Sequence, residues 1–146
     1  MTERIQASAP GSLMLLGEHA VLHGRRALVC AINRRITVRL VPLEEHIVRI
    51  DSDPGSYESP LHNLMEHAEL RFVIQAIRQH VDQLPSGFEL KIDSEFSPEI
   101  GFGSSAAVTV AVHAALFASL PGDPPTNELL FKESLKTVHA VQGRGS

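Results

Sequence analysis

A single cysteine, Cys30, stands in a chain of 146 residues. One thiol closes no intramolecular bridge, so a disulfide framework is excluded and a reducing, intracellular setting is expected. Runs of lysine or arginine are also missing, and the formal net charge is -4. A nucleic-acid partner is therefore not expected. Arg34, Arg35 and Arg39 lie close together, but Arg35, Thr37 and Arg39 alternate as one exposed face of a strand. The longest apolar stretch, 106–120, is interrupted by His113 and falls short of the roughly 20 residues that span a bilayer. Residues 1–6 are polar and charged, so no signal peptide is expected. No repeat or low-complexity segment is visible. A cytoplasmic protein without membrane or nucleic-acid partners is the expectation.

What is present fits one globular domain: 43% of the residues are hydrophobic and 21% charged. Residues 4–9 read as a short extended segment stopped by a Pro10-Gly11 turn. The apolar run Leu13 to Leu16 reads as a buried strand, and 18–24 as a polar loop after it. Residues 27–32 read as a second strand, joined through Asn33-Arg34 to a half-exposed strand over 36–40. Residues 46–50 alternate as its hairpin partner, and 51–60, rich in Asp, Ser, Pro and Gly, read as a loop. Helical spacing predicts a helix over 63–83, broken by Pro85-Ser86-Gly87. Phe88, Leu90 and Ile92 alternate with Glu89, Lys91 and Asp93 as a strand. Helices are predicted over 106–120 and 127–142, the second capped by Thr126 or Asn127. The expected fold is α+β, with one mixed, largely antiparallel sheet and helices packed on one face.

The glycine-rich stretch between the 88–93 strand and the 106–120 helix is the first candidate site. It reads Ser97-Pro98-Glu99-Ile100-Gly101-Phe102-Gly103-Ser104-Ser105-Ala106-Ala107. A helix N-terminus leaves backbone N–H groups unpaired and carries partial positive charge, which suits a phosphate. Gly101 and Gly103 permit positive φ and close backbone approach. Ser104 and Ser105 can cap the helix, bond a phosphate oxygen or ligate a metal ion. Gly-x-Gly-x-x-Ala also fits a dinucleotide-binding turn, but that fingerprint belongs after the first strand of a parallel βαβ unit, and here it comes late.

The second candidate lies near the N-terminus: Pro10-Gly11-Ser12-Leu13-Met14-Leu15-Leu16-Gly17-Glu18-His19-Ala20-Val21-Leu22-His23-Gly24. It resembles the first motif of the galactokinase, homoserine kinase, mevalonate kinase and phosphomevalonate kinase (GHMP) superfamily, with wording most like the mevalonate branch. The loop Pro98-x-x-Gly-Phe-Gly-Ser-Ser-Ala-Ala is similar to the superfamily's phosphate loop, with Phe102 where leucine is usual. The resemblance implies an N-terminal ATP-binding domain over 1–146. ATP phosphates would rest on Pro98, Gly101, Phe102, Gly103, Ser104, Ser105 and Ala106, and Ser105 would ligate Mg²⁺. Ser12, Glu18 and His19 would face a small acceptor alcohol, mevalonate, to which the γ-phosphoryl group passes.

Three departures from the family pattern are visible. Ser12 stands where the mevalonate branch carries lysine. The catalytic aspartate of the family's Ser-Gly-x-Asp segment would fall just past Ser146, so no catalytic base is expected within the chain. Val138 stands where the family has a Mg²⁺-ligating glutamate, with Glu133 nearby. These point to the N-terminal half of a kinase that works with a C-terminal half, or self-associates through an apolar face of the 106–120 and 127–142 helices. A non-catalytic nucleotide-binding or assembly half, or another member such as a phosphomevalonate or sugar kinase, is the alternative. His19 and His23, four residues apart, have no third ligand near in sequence, so a zinc site is not expected. His113, His139 and Cys30 read as core or interface residues, and Met14 and Phe102 as apolar fill.

Overall fold

The computed structural model describes residues 3–53 and 55–143. Five strands form one sheet in the order β1-β2-β5-β3-β4. They are β1 (Ile5–Leu16), β2 (Leu28–Pro42), β3 (Ile47–Ser52), β4 (Gly55–Pro60) and β5 (Phe88–Ser94). Three α-helices accompany them: α1 (Arg71–Arg78), α2 (Ser104–Ser119) and α3 (Asn127–Gln142). All neighbouring pairs are antiparallel except β3 with β5, which run parallel. The glycine-rich loop therefore follows the last strand of a largely antiparallel sheet, which is not the setting of a dinucleotide fingerprint.

Period-two alternation puts one face of the sheet into the core. Val38 and Leu40 of β2, Val48 and Ile50 of β3, and Phe88 and Leu90 of β5 are all buried. The other face carries charge: Arg39 pairs with Asp93, and Arg49 with Glu58 at 2.6 Å. α2 lies against β1 and β2 and also touches α1 and α3. Its composition explains the placement, since Ala107, Ala111, Val112, Ala115 and Leu116 are buried and small side chains let it approach on several sides. The expectation that α2 leaves an apolar face open is not met. Exposed apolar side chains do lie on α3, the other helix of that expectation, at Leu129, Phe131 and Leu135, and also at the outer ends of β1 and β2.

Several boundaries differ from the sequence reading. Pro10-Gly11 is not a turn: β1 runs through it with a register shift between Pro10 and Ser12, and Asn33-Arg34 likewise lies inside one continuous β2. The extra residues are on β2, where Ile32 to Arg34 face Gly11 alone, and the irregularity is absorbed without ending either strand. The outer end of β1 is exposed, with Leu16 at 67%, so the Leu13 to Leu16 run is not a buried strand, and Met14 is not core fill. β3 is no hairpin partner of β2, because β5 lies between them. Gly87 allows this: a Cβ there would lie 2.0 Å from the Ile47 carbonyl oxygen. β4 falls inside the stretch 51–60 read as a loop. Its buried residues are Tyr57 and Ser59, which bond the Met65 and Asn63 carbonyl oxygens. The helix expected over 63–83 is confined to α1, with single 3₁₀ turns at Ala68–Leu70 and Val81–Gln83. α3 has the predicted bounds, and the Thr126 hydroxyl accepts the Leu129 N–H.

A polar network is sealed between the three helices. The His80 Nε2 and His113 Nδ1 atoms are 2.9 Å apart, and His113 Nε2 is 2.8 Å from the Thr137 hydroxyl. The Gln79 amide is also 2.8 Å from that hydroxyl. His113 is thus a core residue, as read, whereas His139 and Cys30 are only half-buried. Burial, followed by repulsion from His80, lowers the His113 pKa to about 4; attraction from Glu133 offsets part of this and Lys136 adds to it. Burial lowers the His80 pKa as well. The folded chain therefore holds His113 neutral where the unfolded chain, with a pKa near ~6.5, takes a proton. Its contribution is full above pH ~6.5 and is lost as pH falls toward ~4, to a total on the order of 3 kcal/mol. Urea denaturation at stepped pH is expected to show this loss, with a shallower slope for His113→Gln. Equal slopes for the two proteins would contradict it.

Candidate functional site

The loop between β5 and α2 is built from short-range hydrogen bonds. The Ser94 hydroxyl donates to the Phe96 carbonyl at 2.6 Å, and the Ser97 hydroxyl accepts the Glu99 N–H at 3.3 Å. Pro98–Ile100 form one 3₁₀ turn, closed by Gly101 at φ 72°. Phe96 points into the core and meets the half-buried Phe102 edge to face, with ring centres 6.0 Å apart. Gly103, at φ 65°, is the N-cap of α2. A left-handed backbone at that position is accessible mainly to glycine.

Ser104 and Ser105 do not cap the helix, in contrast to one of the roles expected for them. Gly103 takes that place, and no side chain caps it. Both serines lie in the first turn, half-buried, with hydroxyls that have no hydrogen-bond partner among the described residues. The first bonded N–H of the helix is that of Ala107, which donates to the Gly103 carbonyl at 3.0 Å. The N–H groups of Ser104, Ser105 and Ala106 have no partner among the described residues. These free donors and the two hydroxyls form an anion-binding cradle with the helix dipole behind it.

The cradle is seated on β1. Ser12 N–H donates to the Phe102 carbonyl oxygen at 2.8 Å. A Cβ on Gly103 would lie 2.7 Å from the Ser12 Oγ. A Cβ on Gly11 would lie 2.8 Å from the Phe102 carbonyl oxygen and 2.9 Å from both Ile32 and Phe96. Gly11 thus fits under the loop, and Ser12 is brought into contact with it. Glu18 and His19 are not joined to it: they sit exposed beyond the end of β1, before the 3₁₀ turn Ala20–His23. No hydrogen bond or ion pair links either to another described residue, so Glu18 does not pair with Arg25 or Arg26.

A cavity of about 710 Å³ opens beside the cradle. Of the expected site residues, Pro98, Ser104 and Ser105 line it, and Ser97 adjoins them. The rest of its lining includes segments that carried no motif: Ser52 and Asp53 at the end of β3, Glu69 in the 3₁₀ turn before α1, and Arg71 at the start of α1. Nothing local in the sequence marks these residues, because only the β3–β4–α1 crossover brings them there. The volume falls within the range of small-molecule sites. Among the described residues no cluster of three His, Cys, Asp or Glu is placed to hold a metal. Glu133 is committed elsewhere, with Lys136 at 2.5 Å, and does not line the cavity.

Replacing Gly11 by alanine tests the seat. The added methyl has three neighbours inside 3.0 Å, one of them backbone, so the loop or β1 has to move. Overpacking of this kind costs about 1–3 kcal/mol. A matching drop in the urea midpoint is expected for Gly11→Ala, and an unchanged midpoint would contradict the contact.

Comparison with known proteins places this geometry. Residues 68–146, more than half of the chain, match the family model described as the GHMP kinases N terminal domain. Residues 2–41 match a galactokinase galactose-binding signature. A mevalonate kinase of Archaeoglobus fulgidus is 37% identical over 142 residues, covering 96% of this chain and 46% of the relative. Among solved structures, the Methanococcus jannaschii mevalonate kinase superposes with a TM-score of 0.86 at 22% identity, covering 100% of this chain and 49% of the other. The Streptococcus pneumoniae phosphomevalonate kinase, solved with phosphomevalonate and AMPPNP, gives 0.75 at 25% identity, covering 94% and 43%. The chain spans about half the length of the curated relatives it matches. The β5 loop and the helix it opens lie within the matched residues, and the chain belongs to the GHMP kinase family through its N-terminal domain.

Proposed function

We propose that this chain is the ATP-binding half of a small-molecule kinase that transfers the γ-phosphoryl group of ATP to a hydroxyl, with mevalonate as the acceptor. The observation that carries the reading is the cradle of unpaired N–H groups at the start of α2, opening onto a cavity of about 710 Å³. The nucleotide analogue in the related phosphomevalonate kinase complex supports ATP as the donor. Residues Gly101 to Ala106 would hold its phosphates, with Pro98 and Phe102 fixing the loop. Such catalysis works mainly by positioning and charge stabilisation.

The residues present fit Mg²⁺ as a partner of the nucleotide. Magnesium usually keeps waters and substrate phosphates and takes only one or two protein ligands. The free Ser105 hydroxyl would supply one of them. When bound, the ion neutralises phosphate charge. Ser12, touching the loop from β1, and Glu18 and His19 beyond it would serve the acceptor side.

The second reading is a different acceptor, and two observations favour weighing it. Ser12 offers a neutral hydroxyl where the mevalonate branch carries a lysine, and residues 2–41 match a galactokinase signature. A non-catalytic half remains the reading in which the acceptor is lost altogether. In either case the missing half of the relatives' length would cover the apolar ends of β1 and β2, including Leu15, Leu16 and Leu28. Self-association through Leu129, Phe131 and Leu135 of α3 is the competing use of exposed apolar surface. Among the described residues no helix is long and apolar enough to cross a membrane, and a cytoplasmic setting goes with the reading.

An ADP-release assay tests the function. Mevalonate, phosphomevalonate, homoserine and galactose would be supplied to the chain, alone and with the C-terminal half of the Archaeoglobus fulgidus relative. Mevalonate-dependent turnover is expected only with both halves, since a general base is typically worth about 10²–10⁴-fold. Robust turnover by the chain alone would place the base within it. Turnover with another acceptor would reassign the substrate.

A further inference from the structure

The cavity beside the cradle has a charge pattern that the loop motif does not explain. Three carboxylates line it, Asp53, Glu69 and Glu95. Glu95 is partly spoken for, because its Oε2 accepts the Arg35 N–H at 2.6 Å. Among the described residues one cation lines the same space, Arg71, the first residue of α1. Its guanidinium lies over the Phe72 ring at 5.4 Å and makes no ion pair or hydrogen bond with any described residue. Elsewhere in the fold Arg35 is engaged with Ser8, Arg39 with Asp93, Arg49 with Glu58 and Arg78 with Glu66, whereas Arg4, Arg25, Arg26 and Arg34 have no side-chain partner among the described residues and do not line the cavity.

Arg71 is the one arginine among the described residues that is both unpaired and placed in this cavity, so its guanidinium is free to meet an anion that enters it. Arginine matches phosphate oxygens with two parallel N–H donors, and such contacts are among the stronger hydrogen bonds in proteins. The other anion-binding element of the cavity, the first turn of α2, forms the wall that contains Ser104 and Ser105. A polyphosphate bound by both would meet neutral donors from one and a full positive charge from the other. The β1 motif supplies no such charge, because position 12 is serine.

We propose that Arg71 is the cation of the nucleotide cavity and binds the polyphosphate chain of ATP together with the glycine loop. This rests on the nucleotide-binding reading above. α1 is thereby part of the donor site, and the crossover that brings it from β4 to β5 is a binding element as well as a connection.

Calorimetric titration of the full 146-residue chain with MgATP, and competition by magnesium tripolyphosphate, provide the test. Arg71→Gln is expected to weaken both ligands by ~10- to 100-fold, with Arg71→Lys retaining part of the affinity. Arg71 is exposed, so the variants should fold, and circular dichroism checks this. Gly103→Val serves as the control for the site, since it places a β-branched residue at φ 65° against Ser12. If Gly103→Val removes ATP binding while Arg71→Gln leaves it unchanged, the Arg71 assignment falls and the site stands. Loss of ATP affinity with tripolyphosphate unaffected, or tripolyphosphate that does not compete on the wild-type chain, also overturns the phosphate role. If neither variant alters ATP binding, or the wild-type chain binds no ATP, the nucleotide reading falls with it.

Discussion

One hydrogen bond, from the Ser12 N–H to the Phe102 carbonyl at 2.8 Å, joins the two motifs of this chain. It lies where the β1–β2 register shifts between Pro10 and Ser12, with Gly11 of β1 facing three residues of β2, Ile32 to Arg34. It can be this short because neither Gly11 nor Gly103 has a side chain: a methyl on either would lie within 2.8 Å of the opposite element. The loop has few other anchors. Phe96 fixes one end in the core, and the helix α2 fixes the other. With these three attachments the first-turn N–H groups of α2 stay aimed at the cavity with no internal partner to satisfy them.

The rest of the fold serves that arrangement. α2 is held on β1 and β2 and wedged between α1 and α3, so its N-terminus does not tilt freely. The buried His80, His113 and Thr137 chain ties all three helices by directional bonds, at the cost of a neutral histidine that acid will charge. Parallel pairing of β3 with β5 requires a crossover, and within it α1 and the 3₁₀ turn before it carry Arg71 and Glu69 to the cavity wall. The unpaired donors of the first turn therefore come from adjacent residues, while the rest of the cavity lining comes from residues far apart in sequence.

How much of this could be read from the sequence followed the physics of each segment. β5, the glycine loop and α3 were legible, because strict alternation, glycine and proline punctuation and a threonine cap act locally. The kinship with GHMP kinases was legible for a similar reason, since both motifs are contiguous. β4 was not, because Ser56, Glu58 and Pro60 look like loop and only its pairing with β3 makes it a strand. The Leu13 to Leu16 run was read as core although it is exposed, since hydrophobicity alone does not say which surface buries a residue. Ser104 and Ser105 seemed natural caps, yet Gly103 holds that position because Ser12 fills the space beside it. Arg71 and Asp53 could not be read as site residues at all, for only the crossover brings them there.

The central claim is that the loop seated on β1 is where a nucleotide's phosphates rest. Backbone amide resonances followed during MgATP titration test it most directly, because they report the N–H groups themselves. The largest shifts are predicted at Gly103, Ser104, Ser105 and Ala106, with a coupled shift at Ser12, whose N–H bonds the loop. Shifts confined to the turn around His19 or to the charged face of the sheet, with the α2 first turn silent, would contradict it.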